Sequence, residues 1–263
     1  MIKFCSLFSG SSGNSLYIEA NGTKILIDAG LSGKRIIQAL NSIGEQPSEI
    51  SAVLVTHEHS DHIRGVGILS RKFNIPVYAN EKTWDAMGTQ IGPINADNMR
   101  CFTTGKEFEI GNLCIKPFPI PHDASEPVGF NFFAENKKVT TATDIGHITK
   151  EVLESLIGSD LVLLESNHDI EMLKVGPYPW PLKRRILGDR GHLSNEMAGK
   201  VAVHMAQRGT RKFLLGHLSK ENNFPELAYQ TVYNALSEQK IKVGSDVTLE
   251  VAMRDYTGSV ITL

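Results

Sequence analysis

Five short runs rich in apolar and β-branched residues each stop at a residue with chemistry to offer, and this constrains the fold more than any other feature. Residues 24–27 lead into Asp28, 52–56 into His57, 138–143 into Asp144, 161–164 into Glu165 and 212–216 into His217. Continuous apolar runs of this length suit strands buried on both faces. Reactive residues gathered at one end of several strands are how α/β folds assemble a site. Between the runs, Ile36, Leu40 and Ile43 form a helical stripe, with Gly44 placed to cap its end. Val152, Leu153 and Leu156 make a second stripe, and Met197, Val201 and Met205 a third. Pro225 sits where a first helical residue should, opening a helix over 226–238. The expected class is α/β, with one domain over residues 1–263 and no internal repeat visible by eye.

With 41% hydrophobic residues, a chain of 263 can bury a core of that size. A net charge of -2 excludes a globally basic nucleic-acid coat but leaves room for local basic patches. No apolar run reaches the length of a membrane span, and the N-terminal residues lack the apolar core of a signal peptide. The 3 cysteines, Cys5, Cys101 and Cys114, are far apart, which argues against a disulfide framework or a cysteine zinc knuckle. The expected compartment is the cytoplasm, with no membrane partner; oligomeric state is not legible.

The segment Thr56-His57-Glu58-His59-Ser60-Asp61-His62 concentrates potential metal ligands, holding 3 of the 9 histidines and an aspartate. Imidazole nitrogen suits zinc, iron and manganese, and a carboxylate can bind or orient a second ion. His57 and His59, leaving a strand, can converge on one ion, while Asp61 and His62, opening the next helix, point toward another. Two divalent ions need more ligands than this segment offers, so His122, Asp144 and His217 are candidates from other strand ends. Asp144 is a natural bridging carboxylate. His147 reads as a helix-start residue and His204 as structural.

The pattern His-x-His-x-Asp-His, followed by separate His, Asp and His residues after strands, resembles the metallo-β-lactamase fold. The resemblance implies a four-layer αββα sandwich with a dinuclear site on its edge. It further implies one ion on His57, His59, His122 and Asp144, and another on Asp61, His62, Asp144 and His217. Asp28 would support these ligands from behind without binding metal itself.

Later motifs narrow the resemblance. Glu165-Ser166-Asn167-His168-Asp169, Gly191-His192-Leu193-Ser194-Asn195 and Gly216-His217-Leu218-Ser219 follow the order of the nuclease branch that includes tRNA 3′-processing enzymes. There a glutamate and a histidine form a proton-shuttling pair, matched here by Glu165 and His192. Ser9-Gly10-Ser11-Ser12-Gly13-Asn14-Ser15, the Thr56–His62 segment, Glu165-Ser166-Asn167-His168-Asp169 and Tyr178-Pro179-Trp180-Pro181-Leu182-Lys183-Arg184-Arg185 together resemble the bacterial YycJ/WalJ family. That resemblance implies 5′→3′ exonuclease action on double-stranded DNA and a role in mismatch repair beside other repair proteins. The long insertions of the β-CASP branch and the cysteine ligand of true β-lactamases are both missing.

The residues themselves support phosphodiester hydrolysis less sharply. A pair of divalent ions can clamp a phosphodiester and activate water. A nearby base, His192 or His168, would then give a proton to the leaving oxygen, with Asp61 at the metals. The 174–190 segment carries five cations, Tyr178 and Trp180 among prolines at 177, 179 and 181. It reads as an extended loop, with Lys183, Arg184 and Arg185 on phosphates and Trp180 on a terminal base. Ser11 and Asn14, in the Gly/Ser turn at 9–14, could turn backbone N–H groups to a phosphate. The competing reading is a small-molecule hydrolase for a cyclic phosphodiester, thioester or lactone on the same metal core, which would not need the cationic segment.

Overall fold

The structure, a computed structural model, describes residues 1–263. Its strands fall into two seven-stranded sheets. The first holds β1 (Ile2–Phe8), β2 (Ser15–Ala20), β3 (Thr23–Ile27), β4 (Ala52–Leu54), β5 (Val77–Ala79), β6 (Met99–Cys101) and β14 (Ile261–Thr262), in the order β14-β1-β2-β3-β4-β5-β6. The second holds β7 (Phe108–Ile110), β8 (Leu113–Pro119), β9 (Val128–Ala134), β10 (Lys137–Ala142), β11 (Leu161–Glu165), β12 (Lys212–Gly216) and β13 (Thr248–Val251), in the order β13-β12-β11-β10-β9-β8-β7. The helices are α1 (Gly33–Ser42), α2 (Ser60–Ile63), α3 (Val66–Phe73), α4 (Glu81–Met87), α5 (Lys150–Leu156), α6 (Ile170–Val175), α7 (Trp180–Leu187), α8 (Asn195–Ala206) and α9 (Pro225–Glu238).

Both sheets are built alike. Each starts as an antiparallel meander, β1-β2-β3 or β7-β8-β9-β10, and continues in parallel strands through β4-β5-β6 or β11-β12-β13. This likeness is invisible as sequence repetition because it lies in strand direction and order, not in shared side chains.

Strand alternation explains why the runs are apolar throughout. Ile25 and Ile27 point between the sheets with Leu161 and Leu163, while Leu26 packs outward with Ile36, Leu40 and Leu69 of α1 and α3. On the opposite outer face Val162 and Leu164 meet Val152 of α5, Val201 of α8 and Val232 of α9. The result is a four-layer αββα sandwich. Each fully buried Leu or Ile contributes about 1.5–3 kcal/mol of transfer free energy, so both sheet faces need a helical cover.

Parallel registers align the strand ends that matter. Ile27 lies opposite Leu54, Ala142 opposite Leu164 and Glu165 opposite Gly216, bringing Asp28, Asp144, Glu165 and His217 to one edge. The sheets are stitched together there by a Gly10–Leu218 bridge and by the Val128 N–H on the Thr56 carbonyl at 3.1 Å. β4 stops short of Thr56 because the Thr56 N–H leaves the ladder and donates to Asp28 Oδ1 at 2.9 Å.

Candidate metal centre

Three of the site residues turn their backbone sharply as a strand ends. Asp28, Asp144 and His217 adopt φ of 60°, 61° and 56°, left-handed values that cost a non-glycine residue about 1–3 kcal/mol. Neighbouring contacts hold them there: the Ser15 hydroxyl donates to the Asp28 carbonyl, and the His217 N–H donates to Ser9 Oγ at 2.8 Å. Asn167 Nδ2 donates to the His217 carbonyl at 2.8 Å. Gly30 lets the loop after Asp28 lie against the helix that bears two site residues, since a Cβ there would fall 1.6 Å from the Asp61 carbonyl oxygen.

The side chains converge around Asp144. Its Oδ1 lies 3.3 Å from His217 Nε2, 3.6 Å from His122 Nε2 and 3.8 Å from His192 Nδ1, and its Oδ2 lies 3.4 Å from His62 Nε2. His57 Nε2 approaches His59 Nδ1 at 3.1 Å, and His122 completes a group of three imidazoles whose ligand atoms lie within 4.8 Å of one another. Asp61 Oδ2 stands 3.5 Å from His62 Nε2.

Asp28 lies behind this cluster. Its Oδ2 accepts from His62 Nδ1 at 2.7 Å and from the Thr56 hydroxyl at 2.9 Å, so the other nitrogen of His62 faces Asp61 and Asp144. Asn14 is buried beside them. Its Nδ2 lies 3.3 Å from Asp61 Oδ2 and 3.1 Å from His62 Nε2, and its Oδ1 takes the Gly10 N–H. Sequence reading put Asn14 on a phosphate; the structure turns it inward onto the two candidate ligands. Glu58 turns away and accepts from Ser125.

Three carboxylates concentrate negative charge around His62. Burial opposes a charged His62, yet the Asp28, Asp144 and Asp61 carboxylates outweigh it and hold the imidazole well above its ordinary value. Burial drives His57 well below, with the charge on His62 adding to the effect. Burial would raise Asp61, but the charge and hydrogen bond of His62 bring it down to about 2. The buried His122 Nε2 and Asp144 Oδ2 have no hydrogen-bond partner. Polar atoms left bare in a buried site need a partner, and this nitrogen and carboxylate donor set fits divalent cations.

A second pair adjoins the cluster. Glu165 Oε1 accepts from His192 Nδ1 at 2.8 Å, while its Oε2 accepts the Ile145 and Leu193 N–H groups at 2.6 and 3.2 Å. Burial would lower His192, but the Glu165 carboxylate, through charge and hydrogen bond, and Asp144 hold it up to about 9. His192 lines a pocket of about 160 Å³ with Ser11, Tyr178, Arg185 and Ser219. His168 lies outside it, and burial pushes its imidazole down to about 4.

The cationic segment is the main departure from the sequence reading. Residues 174–190 contain the helix α7, because Pro179 precedes it and Pro181 occupies its first turn, where a missing N–H costs nothing. Lys183 is buried, and its ammonium donates to the Lys174 carbonyl at 2.7 Å, so it ties α7 to the end of α6 and does not face solvent. Arg185 pairs with Asp123, the neighbour of His122, through Nη2 at 3.0 Å. Trp180, 59% accessible, and Arg184 remain exposed on α7. Sequence reading missed Thr56, Ser9 and Asp123. Thr56 and Asp123 adjoin candidate histidines and Ser9 opens the Gly/Ser turn, which was the available signal, but none of it showed the support these residues give.

A family model for the β-lactamase superfamily domain matches residues 23–218. Over 246 residues, 93% of this chain and 91% of the other, the sequence is 44% identical to the exodeoxyribonuclease WalJ of Streptococcus pneumoniae. The chain belongs to the YycJ/WalJ family of the β-lactamase superfamily. Another relative, the exodeoxyribonuclease YycJ of Bacillus anthracis, is 42% identical over 243 residues, covering 92% of each chain. Solved structures agree on the fold. The metallo-β-lactamase fold protein YhfI of Bacillus subtilis superposes with a TM-score of 0.72 at 15% identity, covering 98% of both chains. The short form of human tRNase Z gives 0.65 at 17% identity, over 99% of this chain and 100% of that one. This YycJ/WalJ family member is a metal-dependent hydrolase with divalent metal cofactors. No helix is long and apolar enough to cross a membrane.

Proposed function

We propose that this protein is an exonuclease that degrades double-stranded DNA from 5′ to 3′, with a role in DNA repair beside mismatch-repair proteins. One observation carries the reading. A Glu165–His192 pair stands 3.8 Å from Asp144, in a chain matched nearly end to end by relatives named exodeoxyribonucleases.

Two divalent ions, of zinc, manganese or iron, suit the donor set. His57, His59, His122 and Asp144 would hold one, and Asp61, His62, Asp144 and His217 the other. Bound there, the ions would supply Lewis-acid charge for a phosphoryl group and its attacking water. The chain's own residues do the rest. Asp28, Thr56 and Asn14 fix the tautomer and direction of His62 and the position of Asp61. His192, its Nδ1 taken by Glu165, offers Nε2 to the leaving oxygen and gives it a proton. Arg185 and Ser11, in the pocket with His192, receive the phosphate beside the cleaved bond, while Arg184 and Trp180 meet the next phosphate and the terminal base.

The test is metal-replete protein incubated with duplex DNA labelled at either end, with products sized over time. Early release of label from the 5′ end, with progressive shortening, is expected. A protein that leaves DNA intact but cleaves a cyclic phosphodiester, thioester or lactone would overturn the reading. The repair role predicts a raised spontaneous mutation frequency when the gene is deleted; an unchanged frequency removes that part alone.

A further inference from the structure

A groove between α1, α3 and the segment after α4, in the helical layer over the first sheet, has no part in the site described above. It has a volume of about 600 Å³, and its lining includes Lys34, Arg64, Arg71, Ser32, Thr89 and Gln90 with no Asp or Glu. The lining thus carries three cations and no carboxylate. Some cations, Lys3, Lys24, Lys137 and Arg185 among them, face an acidic partner. Lys34 and Arg64 are exposed and have none.

The groove is built, and it adjoins the site. Arg64 follows directly on α2, the turn that carries Asp61 and His62, and its N–H closes that turn on the Ser60 carbonyl at 3.3 Å. Arg71 donates through Nη1 to the Ile91 and Pro93 carbonyls, both at 2.9 Å, and so pins the far wall. Gly67 permits this, since a Cβ there would lie 1.9 Å from the Ile91 carbonyl oxygen. The remaining Arg71 donors, Lys34, Arg64 and the Thr89 hydroxyl then line one concavity, while the Gln90 amide donates to the Ala86 carbonyl and Ser32 Oγ caps α1. Such a set recognises phosphate oxygens.

We infer that this groove binds the phosphate backbone of the nucleic acid at a distance from the bond being cut. The inference rests on the nuclease reading and adds to it a contact point separate from α7, joined to the metal centre through α2. Two separate contact points would hold a duplex in one orientation, which a single pocket at the terminal nucleotide would not.

The test is the double variant Lys34→Gln/Arg64→Gln. Both side chains are exposed and lack hydrogen-bond partners, so thermal unfolding and metal content should match the wild type and confirm that the fold is kept. Fluorescence anisotropy with a 20-base-pair duplex should show roughly tenfold weaker binding at moderate salt, and a salt slope shallower by about 0.9 log units for each lost contact. Binding of a dinucleotide, which has a single phosphodiester to place at the metals, should change far less. If the wild type degrades DNA and the variant binds the duplex with the same affinity and slope, the groove is overturned and the nuclease reading stands. If the wild type neither binds nor degrades DNA, both are overturned. If the variant keeps DNA binding but loses affinity for a poly-glutamate peptide, the groove docks an acidic protein segment and the inference is wrong.

Discussion

His192 gives its Nδ1 to Glu165 at 2.8 Å and keeps Nε2 uncommitted, in the pocket that also holds Ser11 and Arg185. A buried carboxylate behind an imidazole fixes the tautomer and stabilises the charged form, which is what a proton donor to a leaving oxygen requires. His192→Ala should therefore keep the fold and the bound metal while kcat on DNA falls by roughly 10²–10⁴. With p-nitrophenolate as leaving group, which needs no proton, the loss should be much smaller. Equal losses on both substrates would show that His192 does something other than donate a proton.

The metal prediction follows from the bare atoms of His122 and Asp144 and the crowding of His57 against His59. Elemental analysis of protein purified without chelator should find about two transition-metal equivalents per chain. His59 is only partly buried, so His59→Ala should keep the circular dichroism spectrum while lowering metal content and abolishing hydrolysis. Full activity in a metal-free preparation would be incompatible with this centre.

Much of the fold and the centre was legible because both depend on local pattern. Strand ends such as 24–27 before Asp28 announced themselves by apolar runs closed by a reactive residue, and spacing alone exposed His57, His59 and His62. What stayed hidden depends on long-range pairing. Nothing near Asn14 in the sequence says that its amide lies against Asp61 and His62, 47 and 48 residues away. The α7 error has a different origin. Three prolines in five positions suggested an extended chain, but Pro179 lies just outside the helix and Pro181 in its first turn, the two places a helix tolerates proline. Lys183 then falls on the inner face of that helix, which a loop reading could not foresee.

Thr56 tests the support behind the ligands. Its hydroxyl donates to Asp28 Oδ2 at 2.9 Å, and that same oxygen orients His62. Thr56→Val keeps the shape and removes the donor, leaving a buried carboxylate short of one hydrogen bond. Stability should drop by about 1–3 kcal/mol, measured by denaturant titration. Metal affinity should fall by roughly 10–100-fold, measured by competition with a chelator. A loss of stability without any change in metal affinity would mean that Asp28 does not orient His62 for binding.

His168 gives a pH-dependent stability. Burial lowers its folded value to about 4 from an ordinary 6.5, so between these values the unfolded chain binds the proton and the native protein does not. The associated stability is complete above pH 6.5 and is lost as pH falls toward 4, by up to about 3 kcal/mol. His168→Gln should flatten the change in unfolding free energy between pH 6.5 and 4.5 relative to the wild type. A lowered His168 is uncharged at neutral pH, which accords with the proposal that His192 gives the proton. A variant with the wild-type pH slope would show that His168 titrates normally.

The last prediction separates the residues of α7 from one another. Lys183 is buried against the Lys174 carbonyl, whereas Trp180 and Arg184 are exposed on the same helix. Lys183→Met should therefore act through stability, lowering the unfolding midpoint because the carbonyl loses its partner, with DNA affinity unchanged wherever the protein is folded. Arg184→Gln should do the reverse: an unchanged midpoint, with duplex binding whose salt slope is shallower by about 0.9 log units if one phosphate contact is lost. Trp180→Ala should weaken binding by about 1–3 kcal/mol at every salt concentration, because stacking on a base does not depend on counterion release. Arg185 combines the two behaviours: Arg185→Gln frees Asp123 beside His122 as well as removing a cation, so both binding and turnover should fall. If Arg184 and Trp180 variants bind DNA normally across the titration while Lys183→Met weakens binding in folded protein, the exposed face of α7 is not the DNA contact.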